Sequence, residues 1–149
     1  NLEHSPIYIA WQAKRDHLIK ADFPDEEVTV YSDYLLNKLP AYDVKGGVHE
    51  ILEQSNGQTY VVAKEAAMAA KELFEQTEGI DIMTPGGVAF ASLIQALETG
   101  EINSDDCTVL NISGGGVERM KSEVKCSTIT PWMTISRSAE VSGIVDLLD

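Results

Sequence analysis

Between positions 63 and 97 the apolar residues fall into blocks of different period. Ala66, Ala67, Ala70, Leu73 and Phe74 recur at helical spacing, which predicts a helix over residues 63–77. Gly79 follows it as a helix-ending glycine would. Residues 80–83 form a short apolar run and predict a strand. Thr84 then stands where an N-cap would, with Pro85 at the first helical position, because proline lacks only an N–H that is orphaned there anyway. Residues 88–97 are nearly all apolar and predict a buried helix. Residues 108–112 predict a strand, apolar apart from Thr108 and Asn111, as central parallel strands tend to be.

Earlier in the chain, residues 6–11 (Pro-Ile-Tyr-Ile-Ala-Trp) are continuously apolar and predict a buried strand, with a helix starting near Trp11. Residues 22–34 are acidic and rich in turn formers, and read as a loop. Gly46-Gly47 opens an amphipathic helix over 48–54, closed by Ser55-Asn56-Gly57, whose Asn-Gly pair is a turn signal. Residues 58–62 predict a strand and 99–106 a polar loop. After Lys125 the pattern weakens: residues 127–138 read as a segment crossing back over the core, and 139–148 as a short terminal helix. From Gly46 onward the predicted order is α-β-α-β-α-β. That order predicts an α/β fold, a mostly parallel sheet with helices on both faces.

Two of the predicted strands end alike. The first runs Gly79-Ile80-Asp81-Ile82-Met83-Thr84-Pro85-Gly86-Gly87, and the second Thr108-Val109-Leu110-Asn111-Ile112-Ser113-Gly114-Gly115-Gly116. Each stops at a hydroxyl residue near glycines. Glycine has no Cβ, so the backbone can approach a ligand there. Ligands of α/β sheets sit at the carboxyl ends of the strands. The pattern predicts one wall of a small-molecule or cofactor site, without the rest of that site.

With 149 residues the chain can bury about 68–70% of its unfolded surface in one domain. Its 44% hydrophobic and 23% charged residues are ordinary for a globular protein. No apolar run reaches the roughly 18 residues of a membrane span, so no membrane partner is expected. The net charge of −13 would repel nucleic acid. An anionic small molecule could still be held by helix N-termini or by glycine amides. Cys107 and Cys126 lack CxxC spacing, which argues against zinc and fits free thiols in a reducing cytoplasm. Cys107 is expected to serve packing. His4, His17 and His49 share no ligand spacing and are given no chemistry; no metal is expected. Arg119, Lys121 and Lys125 could attract phosphate or sulfite, but alternation with Glu118 and Glu123 fits a solvated helix face. The chain opens at Asn1 without a methionine and almost within an apolar run, as expected of a piece of a longer protein.

Gly46-Gly47, Glu78-Gly79-Ile80, Thr84-Pro85 and the segment ending Ser113-Gly114-Gly115-Gly116 occur in the order seen in threonine synthase-like enzymes. These are pyridoxal-phosphate enzymes of the fold type II, tryptophan synthase β-like superfamily. The chain resembles their C-terminal portion over about its first five-sixths, and the opening Asn1-Leu2, Pro6-Ile7-Tyr8 and Ala10-Trp11 are similar as well. The resemblance implies that residues 1–126 belong to the large cofactor-binding domain and that 127–149 are an extension of unknown role. It places the Schiff-base lysine, the asparagine beside the ring and the phosphate-cradling glycine loop upstream of Asn1. No catalytic residue is therefore expected in this chain, and Lys45 is not taken for that lysine.

The resemblance also assigns roles. Ser113 would face the pyridine nitrogen, where many other pyridoxal enzymes carry an aspartate; read alone, Ser113 could equally end a strand and bond a loop amide. Gly114 and Gly115 would let backbone pass close to the ring. Threonine synthases tend to have Thr-Gly-His-Gly-Leu-Lys-Asp here, whereas this chain has Gly115, Glu118 and Arg119 at the His, Lys and Asp positions. Thr84 replaces a glutamate usual before that proline, which would ease entry of an anion such as sulfite; as an N-cap alone it needs no ligand. The implied reaction converts O-phospho-L-serine and sulfite to L-cysteate and phosphate, on a route to coenzyme M. Alternatives are a threonine synthase acting on O-phosphohomoserine, or a non-catalytic α/β module holding a small anion. The complete enzyme is expected in the cytoplasm as a homo-oligomer, and this piece alone is expected to be inactive.

Overall fold

The computed structural model describes residues 4–24, 29–37, 39–127 and 129–135. The predicted terminal helix over 139–148 lies outside them, as do parts of the predicted crossing segment. Five α-helices order the described chain: α1 (Pro6–Gln12), α2 (Val48–Ser55), α3 (Lys64–Glu78), α4 (Thr84–Glu98) and α5 (Val117–Glu123). Short 3₁₀ turns occur at Lys20–Asp22 and Asp33–Leu35.

The structure corrects the strand predicted over residues 6–11. Pro6 begins α1, and Ile7 to Trp11 continue it. The apolar run carries β-branched and aromatic residues, but proline at the first helical position pre-sets φ and sacrifices no hydrogen bond. Only Pro6 and Ala10 of this helix are fully buried.

The centre of the molecule is the α3–α4 hairpin. Gly79 ends α3 at φ +69°, the left-handed conformation that glycine adopts without steric cost. The two helices approach closely at Gly87, where a Cβ would lie 2.8 Å from the Ala67 carbonyl oxygen and 3.0 Å from Lys71 Cβ. Val62, Ala67, Ala70 and Ala91 form the buried core, flanked by Tyr31, Val88, Phe90 and Ile94. Phe74 and Phe90 meet edge to face across it at 5.5 Å, the offset geometry that aromatic quadrupoles favour. Small residues at the crossing let the backbones close, and the large rings seal one side.

A second cluster ties α1 to α2. His49 packs edge-on against Trp11 and Tyr42. Tyr42 is fully buried, and its hydroxyl donates to the Arg15 carbonyl at 2.8 Å. Arg15 forks onto the buried Asp22 carboxylate, which also accepts the Ile19 amide. Arg15 beside it holds the Asp22 carboxyl below the usual carboxylate range, against the opposing effect of burial.

The segments predicted as strands at 58–62 and 108–112 run without regular secondary structure. Among the described residues the one strand-like pairing is an isolated antiparallel bridge between Ile82 and Gly115. Cys107 is exposed, contrary to the packing role expected of it. No helix among the described residues is long and apolar enough to cross a membrane.

Candidate functional site

The Ile82–Gly115 bridge brings together the two glycine-bearing segments singled out in the sequence. The Met83 amide donates to the Gly114 carbonyl at 3.2 Å, and the Gly116 amide to the Asp81 carbonyl at 2.8 Å. Thr84 and Ser113 flank this paired stretch, so all four predicted site residues, Thr84, Ser113, Gly114 and Gly115, lie in it or next to it in the chain. Ser113, Gly114 and Gly115 are exposed; Thr84 is half-buried.

The glycines are required by the backbone itself. Gly114 sits at φ +95°, and a Cβ there would lie 2.9 Å from Met83 Sδ. A Cβ on Gly115 would lie 2.6 Å from the Asp81 carbonyl oxygen, closer than real Cβ contacts come. Gly116, at φ +70°, turns the chain into α5. The triplet therefore serves the pairing of two segments as well as any close approach to a ligand.

Thr84 corrects its predicted capping role. Met83 is the N-cap of α4, and Thr84 is the first helical residue with Pro85 following. Its hydroxyl, freed from capping, donates to Ser32 Oγ at 3.0 Å, and Ser32 is fully buried. The hydroxyl is thus fixed by a residue 52 positions upstream in sequence.

Two carboxylates not singled out in the sequence hold this wall. Asp81 Oδ2 accepts the Glu118 amide at 3.1 Å. The amides of Glu118, Arg119 and Val117 keep the Asp81 carboxyl below the usual carboxylate range, against partial desolvation. Glu75 Oε1 accepts the Ile82 amide at 3.0 Å and pairs with Lys71. Lys71, then the Ile82 amide, lower the Glu75 carboxyl in the same sense. One residue clamps the bridge from the α3 side and the other from the α5 side. The hint available in the sequence was a charged residue, Asp81, standing between Ile80 and Ile82 in an otherwise apolar run. Glu75 and Ser32 gave no comparable hint. The basic residues of α5 pair locally: Arg119 with Glu123 at 2.8 Å and Lys121 with Glu118 at 2.7 Å, all exposed. They are a solvated helix face.

No family model matches the chain. It is 42% identical over 140 residues to the cysteate synthase of Methanosarcina acetivorans, covering 91% of this chain and 34% of that protein. It is 40% identical over 146 residues to the cysteate synthase of Methanosarcina mazei, covering 95% and 35%. With the cysteate synthase of Methanoculleus marisnigri it shares 38% identity over 149 residues, covering 97% and 35%. The chain spans about a third of the length of these curated relatives. Along nearly its whole length, then, this chain is similar to cysteate synthases and corresponds to roughly one third of such an enzyme.

Proposed function

We propose that the chain is the C-terminal third of a pyridoxal-phosphate enzyme that exchanges the phosphate of O-phospho-L-serine for sulfite, giving L-cysteate and inorganic phosphate. The observation that carries this reading is the similarity to cysteate synthases across 91–97% of the chain. The paired segments are compatible with it. They leave Ser113, Gly114 and Gly115 exposed beside the Ile82–Gly115 bridge, where the resemblance would put the cofactor ring.

Pyridoxal phosphate, when bound, supplies an electron sink for the substrate α-carbon. Ser113 is the residue that would meet the pyridine nitrogen. A neutral hydroxyl leaves the ring less electron-poor than an aspartate does. That suits a reaction in which the departing phosphate takes the bonding electrons. Thr84, bonded to Ser32, puts an uncharged hydroxyl at the head of α4 in place of a glutamate, which removes one negative charge from the approach of sulfite. In the net exchange the Cβ–O bond to phosphate breaks with its electron pair on oxygen, and sulfite sulfur donates the pair for the new Cβ–S bond. The lysine that moves the α-proton belongs, on this reading, to the two thirds of the enzyme outside this chain. So do the strands that would complete a mostly parallel sheet covered by helices on both faces. Residues 1–126 would form part of the large cofactor domain, and 127–149 its extension. The whole enzyme would be a cytoplasmic homo-oligomer.

The test is phosphate release by the full-length protein with pyridoxal phosphate. Sulfite-dependent release from O-phospho-L-serine supports the reading. Release from O-phosphohomoserine alone would make the enzyme a threonine synthase, and release from neither would point to another replacement reaction or to a non-catalytic anion-binding module.

A further inference from the structure

The turn that carries Ser113 has little of its own to keep it in shape. Gly114 and Gly116 stand at φ +95° and +70°, and Ser113, Gly114 and Gly115 are exposed. Helix α5, which follows directly, has no buried residue, and its N-cap, Gly116, has no side chain to receive the first-turn amides. Asp81 supplies what is missing. Its carbonyl accepts the Gly116 amide at 2.8 Å. Its carboxylate Oδ2 accepts the Glu118 amide at 3.1 Å, 37 positions along the chain. One residue therefore grips the chain on each side of Val117. A carboxylate at the first turn of a helix also meets the positive end of the helix dipole.

Asp81 is itself anchored. The neighbouring Ile82 is 3% exposed, pairs with Gly115, and donates its amide to Glu75 Oε1 of α3 at 3.0 Å. A chain of bonds thus runs from the α3–α4 hairpin through Ile82 and Asp81 to the turn after Ser113. The main-chain bonds persist whatever side chain stands at position 81, so substitution there isolates the carboxylate. We propose that Asp81 is a positioning residue for the cofactor: its carboxylate, by capping α5, holds the Ser113–Gly116 turn in the form that receives pyridoxal phosphate. The proposal rests on the reading of this chain as part of a pyridoxal-phosphate enzyme. Asp81 acts through Ser113 and the glycine backbone, without contact of its own with the ring.

The test is titration of the full-length apoprotein with pyridoxal phosphate, read by the cofactor's absorbance. Asp81→Ala should raise the cofactor Kd at least about fivefold, as expected for one net hydrogen bond. Asp81→Asn, which keeps an oxygen to accept the Glu118 amide, should stay within about twofold of the unaltered protein. Asp22→Ala, in the Arg15 cluster, should lower the thermal midpoint and leave the cofactor Kd unchanged, which separates positioning from a general loss of stability. An unchanged Kd in Asp81→Ala overturns the proposal and leaves the reading of the enzyme standing. So does a rise in Asp81→Asn or in Asp22→Ala equal to that in Asp81→Ala. If the unaltered protein takes up no pyridoxal phosphate, the reading of the enzyme falls, and the proposal with it. Should Asp81→Ala not fold, Asp81→Ser, whose oxygen stops one bond short of the Glu118 amide, carries the same comparison.

Discussion

Gly115 concentrates the steric logic of the paired segments. Its missing Cβ would stand 2.6 Å from the Asp81 carbonyl oxygen, and that neighbour is backbone with no room to retreat. Gly115→Ala should therefore cost about 1–3 kcal/mol, the usual range for a strained substitution, read as a lowered thermal midpoint. Ser113→Ala should behave oppositely: Ser113 is exposed, so the midpoint should stay within about 0.5 kcal/mol while activity of the full-length enzyme falls. Equal midpoints for the two variants would contradict this division between shape and chemistry. Asp22 is a third kind of residue. It is 3% exposed, and among the described residues its ion-pair partner is Arg15. Asp22→Ala should lower the thermal midpoint, because it takes the carboxylate from the Arg15 fork and leaves that guanidinium with the His17 carbonyl as its remaining partner among the described residues. Removing both partners, as Arg15→Leu with Asp22→Leu, should recover part of that loss.

At the scale of elements, the α3–α4 hairpin was legible because its signals agree. Helical spacing of alanines, a terminal glycine and a proline at the start of the next helix all point one way. The helix α1 was misread because a run of Ile, Tyr, Ile and Trp carries strand composition, and Pro6 was the one residue that marked a helix start. The segments at 58–62 and 108–112 were read as strands from composition. A strand, however, is a pairing between segments, and composition names no partner. The same reason hid the carboxylate clamp, since Glu75 and Ile82 meet only once α3 has formed and turned at Gly79. Both clamp carboxyls, Glu75 and Asp81, are held below the usual range in the folded chain. Their folded values are depressed, so their contribution is full above about pH 5 and fades as pH falls through the folded values. Asp81→Asn should flatten the acid limb of stability against pH and leave the neutral limb nearly parallel to that of the unaltered protein. An acid limb of unchanged steepness would show that the clamp is not formed in solution.

For the molecule as a whole, length and exposure argue together. The chain corresponds to about a third of the enzymes it resembles, and it leaves large apolar side chains in water. Val109 and Ile129 are 89% exposed and Trp132 is 77% exposed. Exposed apolar segments without ladder partners favour association. Expressed as these 149 residues, the chain should sediment as a concentration-dependent self-associating species and show no turnover; a strictly monomeric, stable product would count against its needing the rest of the polypeptide. The two glycine-bearing segments could be picked out in the sequence because hydroxyl-then-glycine endings are local signals, and they pair through the Ile82–Gly115 bridge. The partners that fix them, Ser32 and the two carboxylates, are set by tertiary contact and could not be picked out in that way. The most direct test of the central claim is incorporation of isotopically labelled sulfite by the full-length protein supplied with pyridoxal phosphate and O-phospho-L-serine. The account predicts label in L-cysteate, with one phosphate released per label and a marked loss in Ser113→Ala. Phosphate release without label in any amino acid, or labelled product undiminished in Ser113→Ala, would contradict it.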